Sequence, residues 1–144
     1  MSHPPQPSAS TAHPHPDLLQ PACEHLRAGG LVVLPTDTVY GIGCDAAEAG
    51  AVERLLAAKG RGRQMPPPVL VADPVDLTGL VAQVPEAARA LMEAFWPGAL
   101  TLILEADAAL TWDLGETGGT LAVRMPAHAL ALNLLRRSGP LAVT

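Results

Sequence analysis

Near the start of the chain, apolar residues recur at helical spacing: Leu19, Ala22, Cys23 and Leu26 stand at i, i+3, i+4 and i+7. This predicts an amphipathic helix from Asp17, with Pro21 in its first turn and Gly29-Gly30 ending it. The apolar run Leu31-Val32-Val33-Leu34 follows as a short buried strand. After a polar, glycine-containing loop, Val52, Leu55 and Leu56 place a second helical face in residues 48–58, stopped by Gly60. Residues 68–71 predict a strand, and Asp73-Pro74 opens a connector. Pro85 stands at the first position of a third helix whose Ala88, Leu91, Met92 and Phe95 form one stripe, closed by Pro97-Gly98. Residues 100–105 and 120–124 read as strands, and residues 127–137 as a helix with Arg136 and Arg137 at its negative end. Residues 141–144 have the pattern of a strand just beginning. Strands alternating with helices, some neighbours pairing antiparallel, predict an α/β fold: a twisted mixed sheet with helices packed on it.

No such periodicity precedes Asp17. Residues 1–16 hold Pro4, Pro5, Pro7, Pro14, Pro16 and three of the five histidines, and read as a disordered tail ahead of one domain over 17–144. At 144 residues and 49% hydrophobic, the chain buries a core without metal or disulfide staples. Cys23 and Cys44 are its only cysteines and lack Cys-x-x-Cys spacing, which points to a reducing, cytoplasmic setting. The first residues have no signal-peptide pattern and no run approaches a membrane span, so no membrane partner is expected. The net charge of −5 argues against a broad grip on nucleic acid.

Three segments could carry chemistry. Pro35-Thr36-Asp37-Thr38-Val39-Tyr40-Gly41-Ile42-Gly43 leaves a strand and offers three hydroxyls beside glycines, as ligand loops of α/β folds do. Its Gly41-x-Gly43-x-x-Ala46 is not a dinucleotide fingerprint, because the glycines come too long after the strand and no acidic ribose partner follows. Lys59-Gly60-Arg61-Gly62-Arg63 holds the only lysine and a third of the positive charge, a combination of cations and backbone N–H groups suited to phosphates. The alternative is a solvated basic turn at a helix end. In Thr120-Leu121-Ala122-Val123-Arg124, strand alternation puts Thr120, Ala122 and Arg124 on one face, and the arginine should meet a carboxylate, a phosphate or solvent. His128 opens a helix, a place more often structural than catalytic, and Phe95-Trp96-Pro97-Gly98 reads as core and turn. The carboxylates are scattered with no Asp-x-Asp or His-Glu pair, so metal-dependent hydrolysis has no support and no protein-bound metal is expected.

In this order the segments resemble the YrdC-like threonylcarbamoyl-adenylate synthases. The matching residues are Pro35 to Gly41, Lys59-Gly60-Arg61 with Met65-Pro66 and Val69-Leu70-Val71, Phe95 to Thr101, and Val123-Arg124-Met125-Pro126. The resemblance implies a nucleotidyltransferase that makes threonylcarbamoyl-AMP and pyrophosphate from L-threonine, bicarbonate and ATP, for modification of tRNA adenosine. It implies that Thr38, Arg124 and Val143 hold L-threonine, that Lys59, Arg61 and Thr120 meet ATP with Lys59 and Arg61 catalytic, and that Mg²⁺ accompanies the ATP. A tRNA threonylcarbamoyltransferase machinery would receive the product. Many relatives have Asn or Lys where Met65 stands, and some have His where Leu70 stands. The family pattern continues from the last strand into Ser-Ala-Asn, whereas Thr144 is the last residue here, so a C-terminally incomplete domain is expected. Two other readings share the fold: a non-catalytic relative that binds tRNA or double-stranded RNA through Lys59, Arg61 and Arg63, and the carbamoyl-transfer domain of hydrogenase maturation.

Overall fold

The computed structural model describes residues 15–144; the greater part of the expected tail, residues 1–14, lies outside the described residues. Ten elements follow in the order α1 (His15–Arg27), β1 (Val32–Leu34), β2 (Gly41–Asp45), α2 (Ala49–Ala58), β3 (Val69–Leu70), α3 (Glu86–Phe95), β4 (Leu102–Glu105), β5 (Thr120–Arg124), α4 (Ala129–Ser138) and β6 (Leu141–Val143). A single 3-10 turn, Pro74–Leu77, occupies the expected connector, its start capped by the Asp73 carboxylate.

The six strands form one sheet in the order β1-β2-β6-β3-β5-β4, mixed as expected: β3 and β5 run parallel and every other pair is antiparallel. Helices cover it on two sides. Alternation along the strands divides the core: Val69, Val123 and Ala142 face the layer containing α2 and α3, while Leu70, Leu141 and Val143 face α1 and α4. The α1/α4 layer stops short of β4 and β5. On that side Ile103 is 69% exposed and Thr120 is exposed, leaving an open shelf beside the buried part of the sheet.

Three local expectations change. Helix α1 begins at His15, so Pro21 lies inside it and not in its first turn. The proline forfeits one backbone hydrogen bond, and burial of Leu19, Cys23 and Leu26 in the core shared with α4 holds the helix regardless. Gly41–Asp45, which reads as loop because glycines interrupt its apolar pattern, is a strand paired on both edges. In α3 the buried stripe is Ala88, Met92 and then Trp96, whereas Leu91 and Phe95 are exposed; Pro85 is the N-cap, one place earlier than expected. Among the described residues no helix is long and apolar enough to cross a membrane.

Candidate active site

The segment between β1 and β2 is an ordered turn. Thr36 Oγ1 accepts from the Thr38 backbone N–H at 3.2 Å and donates to the Val39 carbonyl, which leaves Thr38 as donor in the 3.1 Å contact between the two hydroxyls. Thr38 Oγ1 in turn accepts from Arg124 Nη1 at 3.3 Å. Strand β5 brings the arginine there: its residues 120, 122 and 124 do share one face, and at the end of that strand the guanidinium turns toward the β1–β2 turn.

Arg124 meets a carboxylate, as its place on an apolar strand requires. The partner is Asp37, which pairs with Nη2 through Oδ1; the Arg124 side chain is 13% exposed and that of Asp37 18%. A third contact comes from the turn after α3, where the Gly98 carbonyl accepts from Arg124 Nε at 2.9 Å and the Gly98 N–H donates to the Met125 carbonyl at 2.8 Å. A Cβ at residue 98 would lie 2.4 Å from the Phe95 carbonyl oxygen, so only glycine permits this turn. The segment expected to be core and turn therefore divides its work. Trp96 is core, its Nε1 bonded to the Leu100 carbonyl at 2.8 Å, and Gly98 seats the arginine. Sequence reasoning missed both Asp37 and Gly98 as partners of Arg124; the lone strand arginine was the signal that a partner existed.

Thr38 and Arg124 line one cleft of about 130 Å³ with Tyr40, Pro68, Val143 and Thr144. Strand β6 forms its floor. Ile42 and Thr144 exchange both backbone hydrogen bonds at 2.9 Å, so the intervening Val143 directs its N–H and C=O toward β3. The N–H reaches the Pro68 carbonyl at 3.0 Å. Proline has no N–H to return, so Pro68 gives the Val143 carbonyl no ladder bond, at a residue that lines the cleft.

The basic segment after α2 is a helix end in Schellman form: Arg61 N–H bonds the Leu56 carbonyl at 2.8 Å and Gly60 N–H the Ala57 carbonyl at 3.0 Å, with Gly60 at φ +63°. These two N–H groups are thus spent on the helix. Arg61 donates to the Thr144 hydroxyl, which puts it at the end of the Thr38/Arg124 cleft. Lys59 is exposed at the C-cap. Arg63 points elsewhere and pairs with Asp113 at 2.7 and 3.2 Å. Its hydrogen bond, with one from the Gly115 N–H, holds the Asp113 carboxyl below the ordinary carboxylate range, and Asp113 raises Arg63 in return.

Thr120 stands apart from the cleft. Four residues from Arg124 on the same face, about 13 Å along the strand, it lines an adjoining depression of about 160 Å³ with Pro66, Pro67, Ile103 and Ala122. Its hydroxyl donates to the Thr117 carbonyl at 2.8 Å. Met65 is half exposed, and Leu70 is buried while touching the cleft. His128 is structural: its Nδ1 accepts from Leu130 N–H at 3.2 Å and caps α4. A cavity of about 500 Å³ lies by the 3-10 turn and α3 and contains none of the expected site residues.

The family described as Sua5/YciO/YrdC, telomere recombination, matches residues 24–144. A Mycobacterium tuberculosis protein is 55% identical over 119 residues, 83% of this chain and 55% of that protein. The threonylcarbamoyl-AMP synthase of Bacillus subtilis is 46% identical over 115 residues, 79% of this chain and 33% of that enzyme. The crystal structure of Pyrococcus abyssi Sua5 complexed with L-threonine superposes with a TM-score of 0.82 at 39% identity, over 88% of this chain and 37% of that one. This chain thus spans about half the length of the M. tuberculosis relative and less of the other two. With the fold, the motifs and the match over residues 24–144 in agreement, the chain belongs to the Sua5/YciO/YrdC family.

Proposed function

We propose that this chain provides the L-threonine cleft and part of the nucleotide face of a threonylcarbamoyl-AMP synthase. The observation that carries the reading is the convergence, in one cleft, of the Arg124 guanidinium, the Thr38 hydroxyl and Val143, whose carbonyl Pro68 cannot bond, with Arg61 at its end. An α-amino acid has the matching groups, a carboxylate for the arginine and an amine for the carbonyl. The name of the B. subtilis relative and the L-threonine bound to the P. abyssi protein support the same substrate.

The reaction then runs along the sheet face. The threonine amine condenses with bicarbonate to a carbamate with loss of water, the carbamate oxygen attacks the α-phosphorus of ATP, the phosphorus–oxygen bond to pyrophosphate breaks, and threonylcarbamoyl-AMP results. Arg61 and Lys59 offset charge as pyrophosphate leaves, and Thr120 contacts the nucleotide further along β5. Mg²⁺ enters with the triphosphate as part of the substrate; among the described residues no group of three His, Cys, Asp or Glu gathers to hold a metal ion. Positioning and charge compensation supply the rate, with little covalent work for the protein. The product passes to a tRNA threonylcarbamoyltransferase machinery in the cytoplasm. The RNA-binding alternative is weaker, since Arg63, one of its three cations, is engaged by Asp113.

Calorimetric titration of the chain with L-threonine tests the reading. Binding should be saturable and abolished by Arg124→Ala in a protein that still melts cooperatively. Binding unaffected by that change would refute it.

A further inference from the structure

We infer that Asp37 is a specificity-determining residue: acting through Arg124, it makes the cleft favour zwitterionic amino acids over simple carboxylates of the same shape. The inference deepens the L-threonine reading and rests on it. A guanidinium has five N–H donors. Three of those on Arg124 are committed, to Gly98, Thr38 and Asp37, and two remain for a ligand. Arg124 lines the cleft and Asp37 does not, so the counter-ion neutralises the arginine without filling the ligand space.

The electrical consequence follows from where the charges stand. Both side chains are largely withdrawn from water, so charges a few ångströms away still feel them. A ligand carrying only a carboxylate is attracted by Arg124 and repelled by the counter-ion Asp37 paired with it. An α-amino acid suffers the same repulsion at its carboxylate but regains it at its ammonium, which Asp37 attracts and the Val143 carbonyl can accept. Asp37 binds Arg124 through Oδ1 alone, so an asparagine there keeps the acceptor and removes only the charge.

The test compares L-threonine with 3-hydroxybutyrate, its analogue without the amine, by calorimetry on the wild-type chain, Asp37→Asn and Asp37→Ala, with thermal melts to confirm folding. In Asp37→Asn, 3-hydroxybutyrate should bind about tenfold more tightly while L-threonine changes by less than about threefold. Asp37→Ala should show the same narrowed preference, with weaker binding of both acids because the arginine also loses a bond. An unchanged ratio between the two acids would overturn the inference and reduce Asp37 to a prop for Arg124. If no protein holds L-threonine but Asp37→Asn still tightens 3-hydroxybutyrate, the threonine reading falls and the charge screening stands. Failure of every protein to hold either acid removes both.

Discussion

Val143 donates its backbone N–H to the Pro68 carbonyl at 3.0 Å, and Pro68 returns nothing. The ladder between β3 and β6 thus stops one bond early, beside the cleft that holds Arg124. An unmade bond in a sheet is usually a loss; here it falls at a residue that lines the cleft.

Pro68→Ala should close that gap by supplying the missing N–H to the Val143 carbonyl. One added hydrogen bond contributes about 1 kcal/mol, offset by the greater freedom of the unfolded alanine chain. Thermal stability should therefore change little, whereas calorimetry should show L-threonine binding weakened several-fold.

Gly98→Ala tests the seat of Arg124. The new methyl would sit 2.4 Å from the Phe95 carbonyl oxygen, so the turn must move and take the Arg124 Nε acceptor with it. Destabilisation by about 2 kcal/mol is expected in chemical denaturation, accompanied by loss of L-threonine affinity. Ala99→Gly, in the exposed neighbouring position, should leave that affinity intact.

The Arg63–Asp113 pair ties the segment after α2 to the β4–β5 connection, and its pH dependence has a definite sign. Asp113 is depressed in the folded chain, so its contribution is present above the ordinary aspartate range and fades as pH falls through the lowered folded value. Both groups are exposed, and the effect is correspondingly small and screened by salt. Asp113→Asn should flatten this part of the acid limb of the melting profile.

Burial pushes the Cys44 thiol up from 9.0 to about 12, with Asp45 adding to the rise. A thiol that ionises more readily when unfolded favours the folded state below pH 9.0, and that preference is lost progressively as pH rises toward 12. Cys44→Ala should remove this alkaline loss. In the native chain at neutral pH, Cys44 should resist a thiol reagent until denaturant is added, as its complete burial requires.

Local pattern was enough for most of the fold. The spacing of Leu19, Cys23 and Leu26, and of Val52, Leu55 and Leu56, specifies helices because one face must leave water, and β5 is legible from its alternation alone. Strand β2 escaped because Gly41 and Gly43 carry no apolar side chain; its strand character comes from pairing with β1 and β6, partners remote in sequence. The same division holds at the site. Thr38, Arg124 and Arg61 stand out by residue type and motif, Val143 only through the family resemblance, and the chain's own chemistry demands that a strand arginine find an anion. Only the tertiary structure decides that the anion is Asp37, that Gly98 holds the third donor, that Arg63 is diverted to Asp113, and that Val143 faces a proline that returns no bond. Periodicity reports which side of an element is buried, a local property. Which donor meets which acceptor depends on chain crossings between segments as much as 87 residues apart, and sequence spacing carries no record of them.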